Sequence, residues 1–297
     1  MIFIVLATIT SVLMLLILRL FEKYKVHTFY ALMLNYFSAF VCGLINKWIF
    51  LPDAEIHLSA AAWGITIIEG ILFITVFYWI AQTTRYYGMS VAAVANKMSL
   101  IFPVISAFIL FNEPMQVMHW VGLLLALISV YLVSYADYSL QLKQNKFIIF
   151  PMLVFVGSGV VDTLINLANK TVVQTDTQQL VFTSFVYAFA FITGWAYLKI
   201  IPADKQTGKK FYYQTLFDWK STILLGLSLG VPNYYNLFFI IQALNSKIFP
   251  SGQIFMILNL SNVIVSALVG VLLFKEKLKW INWLGILCAV MTILLMR

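Results

Sequence analysis

Charge is scarce in this sequence: Asp, Glu, Lys and Arg make up 10% of its 297 residues. A soluble fold carries roughly 25%, because its surface has to face water. The charges present cannot cover even one globular surface, so two soluble domains, which the length alone would allow, are excluded. Cysteine is scarcer. Cys42 and Cys288 both fall inside apolar windows, which excludes a disulfide framework and leaves the redox compartment open. The three histidines, His27, His57 and His119, lie at loops or span ends without H-x-x-x-H spacing, so neither a metal nor a cofactor is expected. No Walker A sequence is present, which argues against ATP-driven work by this chain alone. H-E-x-x-H and G-x-S-x-G are also missing, which argues against an intramembrane enzyme. Met1–Leu20 has no basic leader and no A-x-A-like cleavage site, so it reads as a membrane span and not as a secretory signal. The apolar runs do not alternate with period two, which excludes transmembrane β-strands.

What the chain has instead is 62% apolar residues and a mean hydropathy of +0.94. A bilayer core needs about 20 apolar residues per helical span. Ten windows qualify, at 1–20, 29–51, 61–83, 89–111, 115–135, 147–170, 179–201, 221–244, 250–274 and 280–296. The expected fold is therefore an all-α integral membrane protein with ten transmembrane helices. Asn112-Glu113-Pro114 reads as a cap, an acid and a first-turn proline opening span five. Pro202–Lys220 is the one long polar connection. The net charge of +8 sits in loops between apolar segments, so it signals topology and no nucleic acid is expected. Lys and Arg number 14 in the odd-numbered loops and 4 in the even loops and C-terminus. The positive-inside rule then places both termini outside.

A shift of 163 residues lays the chain on itself. Leu110-Phe111-x-Glu113 and Trp120-x-Gly122-x-Leu124-x-Ala126 fall on Leu273-Phe274-x-Glu276 and Trp283-x-Gly285-x-Leu287-x-Ala289, and Asn96 falls on Asn259. Two five-span halves, 1–138 and 139–297, follow within a single membrane domain. An odd number of spans per half turns the second copy over, giving inverted repeats of the kind many secondary transporters use.

These residues resemble the drug/metabolite transporter superfamily in its ten-helix EamA-type branch. The resemblance is carried by Leu-Phe-Asn-Glu-Pro at 110–114 and Leu-Phe-Lys-Glu-Lys at 273–277, each followed by Trp-x-Gly. Ala95-Asn96-Lys97-Met98-Ser99 through Pro103, Gly157–Asp162, and Gly230-Val231-Pro232-Asn233-Tyr234 extend it over the whole chain. The resemblance implies two inverted five-helix repeats around a central cavity, alternating access, and substrates such as amino acids, drugs, nucleotide sugars or phosphorylated sugars. It also implies a bacterial cytoplasmic membrane. Members of the family more often have both termini inside, opposite to the charge count here.

Ionisable residues deep in a span are expensive and are functional candidates. Glu69 lies near the middle of span three, Asp162 centrally in span six, and Lys97 a little over two turns into span four. At 1.5 Å per residue, the two acids lie roughly 21 Å, and Lys97 roughly 12 Å, from the same face of the bilayer. Polar stripes share helix faces with them: Ser158, Asp162, Asn166 and Asn169; Asn96, Ser99 and Pro103; Asn259, Asn262 and Ser266. Asn35, Ser38 and Cys42 form a fourth stripe, which reads as interhelical glue. Span eight is expected to break at Gly226, Gly230 and Pro232, exposing Asn233, Tyr234, Tyr235 and Asn236. The expected translocation cavity therefore holds Glu69, Asn96, Lys97, Asp162, Asn166, Asn233, Tyr235, Asn236, Asn259 and Asn262. Asp162 and Glu69 are the candidates for proton coupling. Glu113 and Glu276 read as structural acids at helix N-termini.

The function these features point to is a secondary transporter, an exporter or exchanger of a small metabolite such as an amino acid, with no catalysis. Its partners would be the substrate, the lipid bilayer and protons as coupling ion, and the chain would act as a monomer or homodimer. The competing readings are a lipid-moving or channel-like protein and, with less behind it, an intramembrane enzyme.

Overall fold

The computed structural model describes residues 1–53, 57–87, 89–114, 116–133, 149–200, 217–274 and 278–295. Among these residues the chain forms eleven α-helices and no strand: α1 (Ile2–Lys23), α2 (Thr28–Phe50), α3 (Ala60–Tyr87), α4 (Met89–Met98), α5 (Ile101–Phe111), α6 (Val117–Val133), α7 (Ile149–Thr171), α8 (Asp176–Ile200), α9 (Trp219–Asn245), α10 (Ser251–Phe274) and α11 (Trp280–Leu295). Eight helical stretches are long and apolar enough to cross a membrane, with α4 and α5 together supplying one of them (Val91–Phe111); α6 and α11 are apolar but shorter. Large apolar side chains lie on the outside, among them Val117, Leu272 and Trp48. Helices that turn such faces outward do so where the solvent is lipid.

Two helix boundaries differ from the sequence reading. Span four is interrupted at Ser99-Leu100, between α4 and α5. Pro103 has no N–H to give the Ser99 carbonyl four residues back. That carbonyl takes the Phe102 N–H instead, at 3.0 Å, while the Ser99 hydroxyl turns back to donate to the Asn96 carbonyl at 2.6 Å. The ladder therefore shortens and stops. Span eight, expected to break, does not: α9 runs unbroken from Trp219 to Asn245 with Pro232 inside it. Its two glycines press it onto α2. A Cβ on Gly230 would lie 2.5 Å from the Asn35 carbonyl oxygen, and one on Gly226 2.8 Å from that of Ala31. Packing this close supports the helix on either side of its missing hydrogen bond.

Asn112 is also placed differently. It does not open span five but closes α5 in the left-handed region, at φ 50°, with its N–H on the Ala107 carbonyl. Asparagine is one of the few residues that visits this region readily.

The chain forms two compact units. The first comprises Met1–Thr8, Thr75–Asn166 and Gln242–Arg297, and the second Ile9–Ile74 and Leu167–Ile241. In the first, α6 packs on α11, and α10 on α5, α6 and α11. Its core joins Leu100 and Val104 to Leu123, Ala126 and Val130 of α6, to Met256, Leu260 and Val263 of α10, and to Ala289 of α11. Gly285 allows the closest approach: a Cβ there would lie 2.6 Å from the Val133 backbone nitrogen. Two polar contacts lock the pair, Ser129 Oγ to the Gly285 carbonyl (2.8 Å) and Asn282 Nδ2 to the Val133 carbonyl (2.9 Å). Small residues and polar ties are what association in lipid relies on, since lipid tails are as apolar as leucine. The repeated motif has matching environments on the two helices: Gly122 and Ala126 are buried and Leu124 exposed on α6, as Gly285, Ala289 and Leu287 are on α11.

The second unit is built around α2 against α8. Gly43 lets α2 meet Ser184 and Tyr234, and Gly70 lets α3 meet the α8 backbone at Val186 and Ala190. Asn46 Nδ2 donates to Tyr234 Oη at 3.1 Å, and Ser38 Oγ to the Leu227 carbonyl at 2.8 Å. Thus Ser38, read as glue, ties α2 to α9.

Candidate functional site

The first unit brings together Asn96, Lys97, Asp162, Asn166, Asn259 and Asn262 of the expected cavity residues. Two glycines set α7. Gly157 faces Val76 and Trp79 of α3, and Gly159 faces the Phe102 ring of α5, where any Cβ would collide. Phe102 also meets Phe155 edge-on at 5.0 Å. Asp162 follows Gly159 by about one turn of α7. Lys97 occupies the last turn of α4, just before that break. Lys97 and Asp162 lie in each other's electrostatic field, both half-buried, and neither makes a hydrogen bond or close ion pair among the described residues. The break itself is level with the middle of α10, since Leu100 shares its core cluster with Leu260 and Val263. Asn262 stands in that same turn of α10, and Asn259 just before it.

The amides of this unit are used unequally. Asn259 Nδ2 donates to the Phe255 carbonyl of its own helix at 3.0 Å. Asn166 is fully buried, and its Nδ2 donates to Ser251 Oγ at 2.8 Å. Its Oδ1 has no hydrogen-bond partner among the described residues, nor do Asn262 Oδ1, Ser158 Oγ or Gln82 Oε1. Sequence reasoning placed Ser158 on the right face but did not count it in the cavity. Gln82 it missed, and only the depth of an amide within span three could have flagged it.

Glu113 is structural, as the sequence suggested, but at another helix. Its carboxylate accepts from Ser251 Oγ at 2.7 Å and from the Gly252 N–H at 3.2 Å, so it caps the start of α10 and not that of α6. Free N–H groups at a helix start need such acceptors. A hydrogen-bonded chain therefore runs from Asn166 on α7 through Ser251 to Glu113. A small hollow beside it, with room for about one water, is lined by Glu113, His119 and Gln253 among others. Glu276, its partner in the sequence repeat, lies outside the described residues.

The remaining expected cavity residues, Glu69, Asn233, Tyr235 and Asn236, belong to the second unit. Glu69 on α3 is fully buried. Asn233 Nδ2 donates to Asn35 Oδ1 at 3.0 Å, while Tyr187 Oη donates to the Asn233 carbonyl at 2.7 Å. Asn236 Nδ2 donates to Ser11 Oγ at 2.8 Å. Tyr235 stacks on Phe239 at 5.7 Å within an aromatic run of α9. These amides tie α9 to α1 and α2.

Fold and interior together define a polytopic α-helical integral membrane protein. No known family profile matches the chain. An uncharacterised protein of Haemophilus influenzae is 26% identical over 220 residues, covering 73% of this chain and 69% of that protein. A crystal structure of another protein superposes with a TM-score of 0.71 at 12% identity, covering 98% of this chain and 97% of that one, which establishes a shared fold.

Proposed function

We propose that the protein is a secondary transporter of a small metabolite, an amino acid or a molecule like it, which exchanges substrate against protons by alternating access. The observation that carries this reading is the presence of Lys97 and Asp162 within apolar spans of one unit, beside an interrupted helix, together with amide oxygens that have no partner among the described residues. Charge at this depth is costly, and irregular backbone there is tolerated where it is buried in protein or lines a cavity. A carboxylate in such a chamber can take and release a proton as the chamber opens to either side.

The ten-span inverted repeat is part of the same proposal. Counterpart helices pack on one another twice over: spans two and seven as α2 on α8, spans five and ten as α6 on α11. A pseudo-twofold axis in the membrane plane would produce such pairs. Membership of the drug/metabolite transporter superfamily, and a cytoplasmic-membrane location in a bacterium, are proposed on the sequence resemblance given above.

The deciding experiment reconstitutes the protein in liposomes and screens a metabolite panel for flux with and without a pH gradient. Asp162→Asn keeps shape and hydrogen bonding but removes the titration. The variant should insert and fold, lose gradient-driven transport and retain substrate exchange. Wild-type rates for Asp162→Asn at every pH between about 6 and 8, the range in which a desolvated carboxylate can titrate, would remove Asp162 from the mechanism.

A further inference from the structure

We propose that His119 operates a latch on the start of α10. Neutral, it leaves the Glu113 carboxylate capping that helix; protonated, it draws the carboxylate away and frees the first turn. The latch lies within the first unit and works whatever the protein carries.

Two sets of contacts hold the start of α10. On one side, Glu113 Oε1 accepts from Ser251 Oγ at 2.7 Å and Oε2 from the Gly252 N–H at 3.2 Å, while Ser251 accepts in turn from Asn166 Nδ2 of α7 at 2.8 Å. On the other, the Gln253 side-chain amide meets His119 Nε2 at 2.5 Å. His119 is also engaged at its second ring nitrogen. The Gln116 N–H donates to Nδ1 at 3.0 Å, and the His119 N–H donates to the Gln116 carbonyl at 2.9 Å. The ring thus reaches back to the residue before α6 as the Glu or Gln of a capping box does.

The bond from Gln116 fixes the tautomer. A ring nitrogen that accepts an N–H carries no hydrogen of its own, so neutral His119 has its proton on Nε2. Gln253 then presents its amide oxygen to the ring, because two facing N–H groups repel and a half-turn of the amide exchanges its ends. Histidine is the side chain whose charge changes between about pH 5 and 8. Protonation puts a hydrogen on Nδ1, sets it against the Gln116 N–H and ends the capping bond of α6. The imidazolium then needs a new acceptor. His119 and Glu113 line one hollow with room for about one water. Among the described residues lining it, Glu113 is the only other titratable group: α5 contributes apolar side chains, and α10 contributes Gly252, Gln253 and Met256. Lys170 on α7 and Lys247 ahead of α10 are exposed and do not line it. The starts of α6 and α10 oppose the added charge only with diffuse partial charges, whereas the carboxylate is a full charge that accepts the ring N–H directly. Once Glu113 turns to the imidazolium, Ser251 Oγ and the Gly252 N–H lose their acceptor and the first turn of α10 opens.

The test uses the purified full chain in detergent. Nuclear magnetic resonance of isotope-labelled histidine should show His119 as the Nε2–H tautomer at about pH 8, its signal assigned by its loss in His119→Gln. Hydrogen exchange, corrected for its intrinsic pH dependence, then reads the amides from Gly252 to Met256. Their protection should fall about tenfold from about pH 8 to about pH 5.5, the change expected for loss of one capping bond, while α11 around Gly285 keeps its own. His119→Gln retains the capping-box geometry without the charge, so its protection should stay high at both pH values. Glu113→Gln should be low at both. An Nδ1–H tautomer at about pH 8 overturns the proposal, and so does equal wild-type protection at the two pH values. These two outcomes need no folded variant. A fall of the same size in His119→Gln also sinks it, because another group is then titrating, and so does a fall that extends to α11. Glu113→Gln behaving as wild type would remove the carboxylate from the latch and end the proposal.

Discussion

Removing the Glu113 carboxylate should destabilise the protein through α10. Glu113 is 8% exposed and accepts two hydrogen bonds, from Ser251 Oγ at 2.7 Å and the Gly252 N–H at 3.2 Å. A bond to a charged acceptor contributes about 1.5–3 kcal/mol, and loss of a helix cap costs about 0.5–2 kcal/mol. The second bond is long and weak, so we expect about 2–4 kcal/mol for Glu113→Ala. At about 2–4 °C per kcal/mol, that lowers the apparent Tm in detergent by about 4–16 °C. Glu113→Gln keeps one acceptor oxygen but sets an NH2 group against the other donor, and should lose about half as much. Asn166→Ala removes the far end of the same chain. Because Ser251 is shared, its effect combined with Glu113→Ala should fall short of the sum. The readout is thermal unfolding followed by size-exclusion fluorescence. An unchanged Tm in Glu113→Ala, or strict additivity with Asn166→Ala, would refute the capping chain.

Gly285→Leu puts a side chain where even a Cβ would lie 2.6 Å from the Val133 nitrogen, so α6 and α11 should separate and the yield of monodisperse protein should collapse; Leu287→Ala, on the exposed face of the same helix, should be tolerated. Asp218 caps α9 through the Ser221 N–H at 2.8 Å, and its hydrogen bonds to Ser221 hold its carboxyl below the ordinary 3.8. Since the folded-state value is the lower one, the cap's contribution is full above about pH 4 and is lost as pH falls through the folded value, so wild type should lose more stability than Asp218→Asn on acidification below pH 4, as read by thermal unfolding. If the 14-to-4 distribution of basic residues sets orientation, a reporter fused after Arg297 should be active only outside the cytoplasm, and a strongly active cytoplasmic reporter there would reverse the topology.

The helices were legible because twenty apolar residues in a row have few other uses: every expected window holds a helix or, in span four, two, and eight of these stretches are long and apolar enough to cross a membrane. What stayed hidden depends on neighbours distant in sequence. Pro103 and Pro232 look alike in the sequence, and of the two Pro232, preceded by Gly226 and Gly230, looks the more disruptive. The structure reverses this because Gly226 and Gly230 clamp α9 onto α2, whereas Ser99 gives its hydroxyl to Asn96 and lets span four part. Glu113 was legible as a structural acid but not as the cap of α10, since its partners lie 138 and 139 residues away. In the interior, periodicity found the faces carrying Lys97, Asp162 and Asn166. It could not tell which amides would be consumed in tying helices together, as Asn233 and Asn236 are.

The interruption at Ser99-Leu100 also has an electrical consequence. A continuous helix cancels its peptide dipoles along its length and shows partial charge only at its two ends, each about half an elementary charge. Cutting span four in the middle creates two further ends, facing one another. The carboxyl end of α4 is negative and carries Lys97 in its last turn, while the amino end of α5 is positive and begins at Ile101. Lys97 is thus carried on the negative end of its own half-helix, where a cation is favoured.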